Sequence, residues 1–264
     1  MGRTTRQHRY EHGPEGGCEP AAGRRGGPRG RGPVLSVAAA VLSAAVVAVL
    51  PAPAATAAAR PARAAAAPAP CNTDTGPYQW ELEEYLKLPA DGRQSAEDCA
   101  AIRTFQERER ITPADGYASL ATYRTSLVIE ERRSPNRDGK CPARSHRVVC
   151  VDLTRQLLWV QRDGRPIYQA VPVRTGRWGQ ETRDGWHEIT ERIIDETSQL
   201  YDDAPMPYAQ YFSGGQAFHG VLGDLFNGGG SAGCINMRLG DAERLWNTTA
   251  LGDTVVVWGR KPAT

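Results

Sequence analysis

The stretch from Val148 to Val173 decides the fold of most of this 264-residue chain, and it reads VVCVDLTRQLLWVQRDGRPIYQAVPV. Apolar residues alternate along it with a period of two, which is typical of half-buried strands. Asp163-Gly164 separates two such runs, and an Asp-Gly pair in that position indicates a β-hairpin. Further strands are predicted at 185–192, 217–218 and 254–258. We therefore expect a mainly β, sandwich-like domain over residues 145–260.

The residues that precede this region have helical spacing instead. Apolar residues recur at helical intervals between Tyr78 and Leu86, and Ser95 with Asp98 forms a predicted capping pair ahead of a second helix. A third short helix is expected after an Asp-Gly turn at 115–116. Within the β region, a short helix is predicted with Asp241 at its start. The fold class is thus a multidomain α and β protein, with a small three-helix domain at 71–130 before the β domain.

The N-terminal part of the chain has the composition of an export signal. Val34 to Leu50 carries no charge, follows an Arg-rich segment and precedes small residues suited to a signal peptidase. Seventeen helical residues are slightly short for a bilayer, which favours cleavage over a permanent anchor, although an uncleaved anchor stays open. We predict a leader at 1–57, an Ala/Pro linker at 58–70 and an exported body that is wall-associated or secreted, touching a membrane only through the leader if it is retained.

The charge of the chain excludes one class of partner. The leader region 1–33 holds seven Arg and three Glu, whereas residues 71–264 hold 23 basic and 27 acidic side chains. The body therefore lacks the concentrated basic face with which proteins bind nucleic acid through its phosphates. We expect no nucleic-acid partner, and we expect a monomer.

The cysteines indicate an oxidising compartment and predict that one of them has no disulfide partner. Cys18 lies in the leader, so an exported body keeps five cysteines, which is an odd number. Proximity along the chain favours two disulfides, Cys71–Cys99 and Cys141–Cys150. Cys234 is then expected to be single. None of the five has the spacing of a zinc site, so we predict no metal and no cofactor.

A thiol motif with a nearby imidazole is the densest chemical signal in the chain. His219-Gly220 is followed by a Gly-rich loop and then by Ser231-Ala232-Gly233-Cys234-Ile235-Asn236. An ordinary thiol is only about 3% ionised at pH 7, so a nucleophilic cysteine needs a base, and His219 is the candidate. Amides around Gly233 and Cys234 are candidate donors to an oxyanion, and Gly220 is a further candidate.

These residues resemble the L,D-transpeptidase catalytic family, whose motif is a His-Gly, a loop of similar length and Ser-x-Gly-Cys. The resemblance runs from about Arg147 to Gly259 and includes the closing Gly252-Asp253-Thr254-Val255-Val256-Val257. It implies that Cys234 attacks a peptidoglycan stem tetrapeptide and expels D-Ala. An amine of another stem then accepts the acyl group in a 3→3 cross-link, or water accepts it in a carboxypeptidase reaction.

The resemblance also assigns the remaining site residues and exposes one departure. Ser231 and Asn236 are expected to shape the loop, and Tyr208 is expected to line the substrate groove. Ala232 stands where family members usually carry His, which keeps open a non-catalytic wall-binding homologue as the alternative. A papain-like peptidase fits less well because no Asn or Asp follows a distant His in the required order. Arg174, Arg177 or Arg238 are candidates to meet the carboxylates of stem peptides.

The helical segment has a resemblance of its own, which covers about fifty residues. Its Asp-Gly turns before helices and its Phe105-Gln106 pair are similar to the three-helix peptidoglycan-binding domain family. This resemblance implies that the helices hold the enzyme on its polymer. The alternative is a helical spacer that packs on the next domain.

Overall fold

The alternation of apolar residues between Val148 and Val173 produces three consecutive antiparallel strands. In a computed structural model, which describes residues 70–227 and 229–263, these are β1 (Val148–Asp152), β2 (Leu157–Arg162) and β3 (Arg165–Pro172). The turn at Asp163-Gly164 has positive φ at both residues, as the predicted hairpin requires. The hairpin prediction is therefore confirmed.

Two sheets are formed by the nine strands of the described residues. The later strands are β4 (Gly185–Glu188), β5 (Glu191–Thr197), β6 (Pro205–Ser213), β7 (Gln216–Val221), β8 (Ile235–Arg238) and β9 (Thr254–Trp258). The first sheet has the order β3-β2-β1-β9-β4, and the second has the order β5-β6-β7-β8. The pairs β1–β9 and β7–β8 are parallel, and the other pairs are antiparallel.

The main core lies between the two sheets. Val149, Val151 and Leu158 from the first sheet meet Phe218 and Ile235 from the second in one buried cluster. A helix, α4 (Leu239–Thr248), contributes to the same cluster. The mainly β, sandwich-like architecture expected from the sequence is thus confirmed.

The helix near Asp241 begins two residues earlier than its predicted cap. Arg238 is the residue that precedes the helix, and Asp241 lies in the first turn instead of at its start. An acidic side chain in the first turn still interacts favourably with the helix dipole. The prediction of a helix here was right, and the prediction of its first residue was wrong.

Three helices precede the sheets, at α1 (Gln79–Leu86), α2 (Ala96–Glu109) and α3 (Leu120–Arg133). The predicted capping pair forms at the start of α2, where the Ser95 hydroxyl accepts from the Asp98 amide and the Asp98 carboxylate accepts from the Ser95 amide. None of the helices among the described residues is long and apolar enough to cross a membrane. The predicted leader and nearly all of the linker lie outside the described residues.

The third helix packs directly on the outer face of the first sheet. Leu127 and Val128 join Cys150, Trp159 and other sheet residues in a second buried cluster. A hydrogen bond reinforces this packing of helix on sheet, because the Arg132 side chain donates to the Ala170 carbonyl. All described residues belong to one compact unit. The helices are therefore packed against the β region, and the boundaries at 71–130 and 145–260 stay predictions.

Candidate active site

The parallel pair β7–β8 places His219 and Cys234 on one face of the second sheet. His219 lies opposite Asn236 in the register, and partners in register project to the same side. Cys234 comes two residues before Asn236, so its side chain shares that face. The Ala217 amide donates to the Cys234 sulfur at 3.4 Å. The two predicted residues are therefore diagonal neighbours, which is the arrangement that the His-Gly to Gly-Cys spacing suggested.

This face is separate from the main core and forms a small apolar cluster. Cys234 packs with Met206, Ala209, Tyr211 and Ala217, and its side chain has no exposure. His219 is only 7% exposed. A low-polarity surrounding strengthens any interaction between the imidazole and the sulfur.

A hydrogen bond to backbone sets the tautomer of His219. Its Nδ1 lies 3.0 Å from the carbonyl oxygen of Gly220. A carbonyl only accepts, so Nδ1 carries the proton and the unprotonated nitrogen of the neutral ring is Nε2. The ring is thus held by its own neighbour in the chain, with Nε2 available as a base.

Burial keeps this imidazole neutral. The pKa of His219 is lowered to about 4, chiefly by desolvation, and the positive charge of Arg174 acts in the same direction. The Gly220 carbonyl and the Asn236 side chain raise the pKa, but they do not offset burial. A base that is neutral at pH 7 is ready to accept a proton from a thiol.

The same burial predicts an acid-dependent loss of stability. An unfolded histidine binds its proton below about pH 6.5, whereas the folded His219 resists protonation until about pH 4. Stability present above pH 6.5 is therefore lost as the pH falls towards 4, by about 3 kcal/mol. Urea unfolding across this range should show that loss for the wild type and not for His219→Gln. If the free energy of unfolding fell equally with pH in both proteins, the low pKa of His219 would be contradicted.

The state of Cys234 differs from the expectation. The structure has no free cysteine among its described residues, and Cys234 is disulfide-bonded. The expectation of a single sulfur was therefore wrong for this structure. A sulfur in a disulfide cannot act as a nucleophile, so any thiol chemistry belongs to the reduced form. The two other disulfides join Cys71 to Cys99 and Cys141 to Cys150.

The loop before Cys234 is held by an internal network of hydrogen bonds. The Ser231 hydroxyl donates to the Cys234 carbonyl at 2.6 Å and accepts from the Gly233 amide at 3.1 Å. The Thr182 hydroxyl donates to the Gly233 carbonyl at 2.8 Å. The Gly233 amide is therefore engaged within the loop, so in this conformation it is not directed at a substrate oxygen. Thr182 had no signal in the sequence, because it lies 51 residues from its partner.

Gly233 cannot carry a side chain in this conformation. Its φ is +106°, and an added Cβ would lie 2.2 Å from Nε2 of Gln216. Gln216 cannot easily move away, because it donates to the Glu181 carbonyl and accepts from the Arg183 amide. The glycine is thus required both by backbone conformation and by space.

Gly233→Ala is expected to lower the free energy of unfolding by about 2–4 kcal/mol, from backbone strain and overpacking together. Gly223→Ala is the matched control, since Gly223 has open space at its Cβ and no positive φ. The control should stay within about 0.5 kcal/mol of the wild type in urea unfolding. A Gly233→Ala protein as stable as the control would show that the loop relaxes freely.

Three other predicted site residues, Gly220, Asn236 and Tyr208, have different surroundings. Gly220 packs tightly, since an added Cβ would lie 3.1 Å from a Leu239 side-chain atom. Asn236 is buried, and its side chain interacts with the imidazole of His219. Tyr208 instead packs against the main core and lies 6.2 Å from Trp246 of α4, ring centroid to ring centroid. The structure therefore does not bring Tyr208 into the cluster around Cys234.

Outside this cluster, the two other histidines of the described residues belong to no comparable site. His146 is exposed and its Nε2 lies 3.2 Å from the Thr254 hydroxyl. His187 is half-buried, and its ring packs against Phe212. Among the described residues, no group of three His, Cys, Asp or Glu is placed to hold a metal ion.

His219 on strand β7 and Cys234, which directly precedes strand β8, thus lie on one face of the second sheet in a two-sheet fold. The pattern of the L,D-transpeptidase catalytic domain (YkuD) matches residues 146–257. The L,D-transpeptidase (Yku) of Stackebrandtia nassauensis is 37% identical, with a TM-score of 0.55 over 74% of this chain and 96% of that one. The chain therefore belongs to the YkuD family of peptidoglycan L,D-transpeptidases.

More distant structures give weaker likenesses. The L,D-transpeptidase of Xylanimonas cellulosilytica is 23% identical, with a TM-score of 0.43 over 74% of this chain and all of that one. One from Mycobacterium tuberculosis is 21% identical, with a TM-score of 0.40 over 43% of this chain and 57% of that one. No curated protein matches the chain.

Proposed function

We propose that the reduced form of Cys234 is the nucleophile of an L,D-transpeptidase reaction on peptidoglycan stem tetrapeptides. The thiol proton passes to Nε2 of His219 while the sulfur bonds to the carbonyl carbon that precedes D-Ala. The carbon–nitrogen bond to D-Ala then breaks, and the amine of D-Ala leaves with the proton from His219. An amine of a second stem attacks the thioester, forms a 3→3 cross-link and restores the thiol.

The observation that carries this proposal is the hydrogen bond between Nδ1 of His219 and the Gly220 carbonyl. It leaves Nε2 as the unprotonated nitrogen of a neutral ring on the sheet face that also carries the sulfur, which supports proton transfer between them. Ala232 is buried and leaves no second imidazole beside Cys234, so His219 has to act as both base and acid.

Export and attachment to the wall are parts of the same proposal. The Arg-rich and apolar leader supports export. The three helices that precede the sheets support a wall-binding role, which would offset weak binding at the active site by keeping the enzyme on its polymer. Release of the leader with a signal peptide would also leave the five-cysteine body that the sequence predicts.

Two alternatives remain within this framework. Water in place of the amine acceptor makes the same site an L,D-carboxypeptidase. The absence of the usual second imidazole at Ala232 favours a non-catalytic wall-binding homologue.

Product analysis tests the proposal directly. The purified full chain is reduced mildly until Cys234 titrates as a thiol, then incubated with disaccharide tetrapeptides, and the muropeptides are weighed by mass spectrometry. A cross-linked dimer with loss of one D-Ala supports the transpeptidase. A tripeptide without dimer supports the carboxypeptidase. Identical products from the wild type and Cys234→Ala would contradict both activities and support the non-catalytic homologue.

A further inference from the structure

Three cationic side chains surround a small internal cavity of about 30 Å³ beside the active-site loop. Arg124 comes from α3, Arg174 follows β3, and Lys261 lies in the segment after β9. Gly229 of the Gly-rich loop also lines this cavity. The volume suffices for one or two water molecules or for one carboxylate group. We call these three residues the cation cluster.

The cation cluster has no carboxylate partner among the described residues. Arg124 donates to the Arg155 carbonyl at 2.7 Å, and Lys261 donates to the carbonyls of Thr175 and Gly229. The Nε atom of Arg174 is buried without any hydrogen-bond partner. A buried donor without a protein partner is rare, and here it leaves Arg174 able to donate to a bound group.

The positive charges of the cation cluster also repel one another. Burial, followed by the charges of Arg174 and Arg124, lowers the pKa of Lys261 to about 8. Burial lowers the pKa of Arg124 and of Arg174 as well. Asp152 acts on Arg124 and Asp224 acts on Arg174, but neither carboxylate forms an ion pair with them. A bound anion would neutralise this repulsion.

The cluster lies between the active-site loop and a larger cleft. Lys261 and Gly229 also line a cleft of about 820 Å³, together with Thr182 and the 88%-exposed side chain of Trp178. Thr182 holds the Gly233 carbonyl next to Cys234. The backbone of Arg174 exchanges hydrogen bonds with Asn236, which lies opposite His219. A ligand in the cleft thus reaches the cation cluster close to the reacting residues.

We propose that the cation cluster binds the C-terminal carboxylate of the stem peptide whose preceding carbonyl Cys234 attacks. This inference rests on the proposed function, because it identifies how the donor substrate is recognised at that same site. The terminal D-Ala carboxylate is only one residue from the attacked carbonyl, which fits a cluster that borders the loop before Cys234. Arg174 supplies a donor to it, Lys261 a second one, and Arg124 the buried positive charge behind them.

Calorimetric binding to the Cys234→Ala protein tests this without any turnover. The probes are a stem tetrapeptide ending in a free D-Ala carboxylate and the same peptide capped as an amide. The free acid is expected to bind at least tenfold more tightly, because it alone makes charge-assisted hydrogen bonds in the cavity. Arg174→Met and Lys261→Met, each in the Cys234→Ala background, should reduce this preference to less than about threefold.

Arg260→Met is the matched control, since Arg260 lines the cleft but not the small cavity. It should keep the preference for the free acid. Circular dichroism and thermal unfolding verify that each variant is folded, and the use of two variants guards against one that is not. Equal affinity of the Cys234→Ala protein for acid and amide would overturn the inference.

Acetate and inorganic phosphate form a second arm that separates a substrate carboxylate from a free anion. If acetate or phosphate stabilises the Cys234→Ala protein through Arg174 while the peptide acid and amide bind equally, the cluster is a free-anion site and the peptide assignment is wrong. D-Ala release by the reduced wild type is measured separately. Release without a carboxylate preference contradicts this inference alone, and a carboxylate preference without release contradicts only the proposed function.

Discussion

Replacement of His219 by Gln is expected to lower kcat/KM for D-Ala release by about 10²–10⁴-fold, which is the usual contribution of a general acid–base. The wild type holds a neutral imidazole down to about pH 4, so its acid limb should lie near that value. The variant depends on spontaneous ionisation of the thiol, and its rate should rise about tenfold per pH unit until the thiol is ionised. Initial rates of D-Ala release between pH 4 and 9 measure both effects.

His187→Gln is the matched control for this experiment. That imidazole packs against Phe212 and contacts the Asp184 carbonyl, away from the Cys234 cluster. The control should retain the wild-type rate and pH profile within about twofold, since substitutions away from such sites have small effects. If His219→Gln kept the wild-type profile, another group would have to be the base, and the proposed mechanism would fail.

Replacement of Arg155 by Met is expected to destabilise the protein by about 3–5 kcal/mol. Its guanidinium lies 2.7 Å from Glu131 of α3 and 2.7 Å from Asp152 at the end of β1. All three side chains are largely buried, with exposures of 12% for Arg155, 2% for Glu131 and 5% for Asp152. Without the guanidinium, the two carboxylates would therefore be buried without its positive charge. Chemical unfolding at pH 7 with the disulfides intact measures the loss.

The exposed pair Arg108–Glu109 gives the control. Arg108 is 57% exposed, so Arg108→Met should change the free energy of unfolding by less than about 1 kcal/mol. A loss of under about 1 kcal/mol at pH 7 would show that α3 is not bound to the sheet through this triad.

Local patterns predicted much of the fold because they act over a few residues. The Asp163-Gly164 hairpin and the Ser95–Asp98 capping box depend on neighbours in the chain, and both form as expected. Strand β6 (Pro205–Ser213) was missed, since its two prolines argue against a strand. The structure accommodates them because β7 pairs with β6 only from Gln210 onward, so the proline end needs no hydrogen-bond donors on that side.

Of the predicted site, only the neighbourhood of His219 and Cys234 could be read from the sequence. Their spacing pointed to two adjacent strands, and His219 lies in β7 while Cys234 directly precedes the adjacent β8. Thr182, Gln216 and the members of the cation cluster carry no local motif. Arg124 and Lys261 are separated by more than a hundred residues, and only the packing of α3 and of the C-terminal segment on the sheets brings them to one cavity.

By itself, the sequence determined the strand pattern and the family motif and predicted an export signal, because periodicity, composition and short spacing are properties of consecutive residues. The tertiary structure decided which nitrogen of His219 carries the proton, that the Gly233 amide is engaged within its loop, and that three distant cations share one cavity. Those features depend on burial and on contacts between residues far apart in the chain, and neither exists until the sheets and helices have packed.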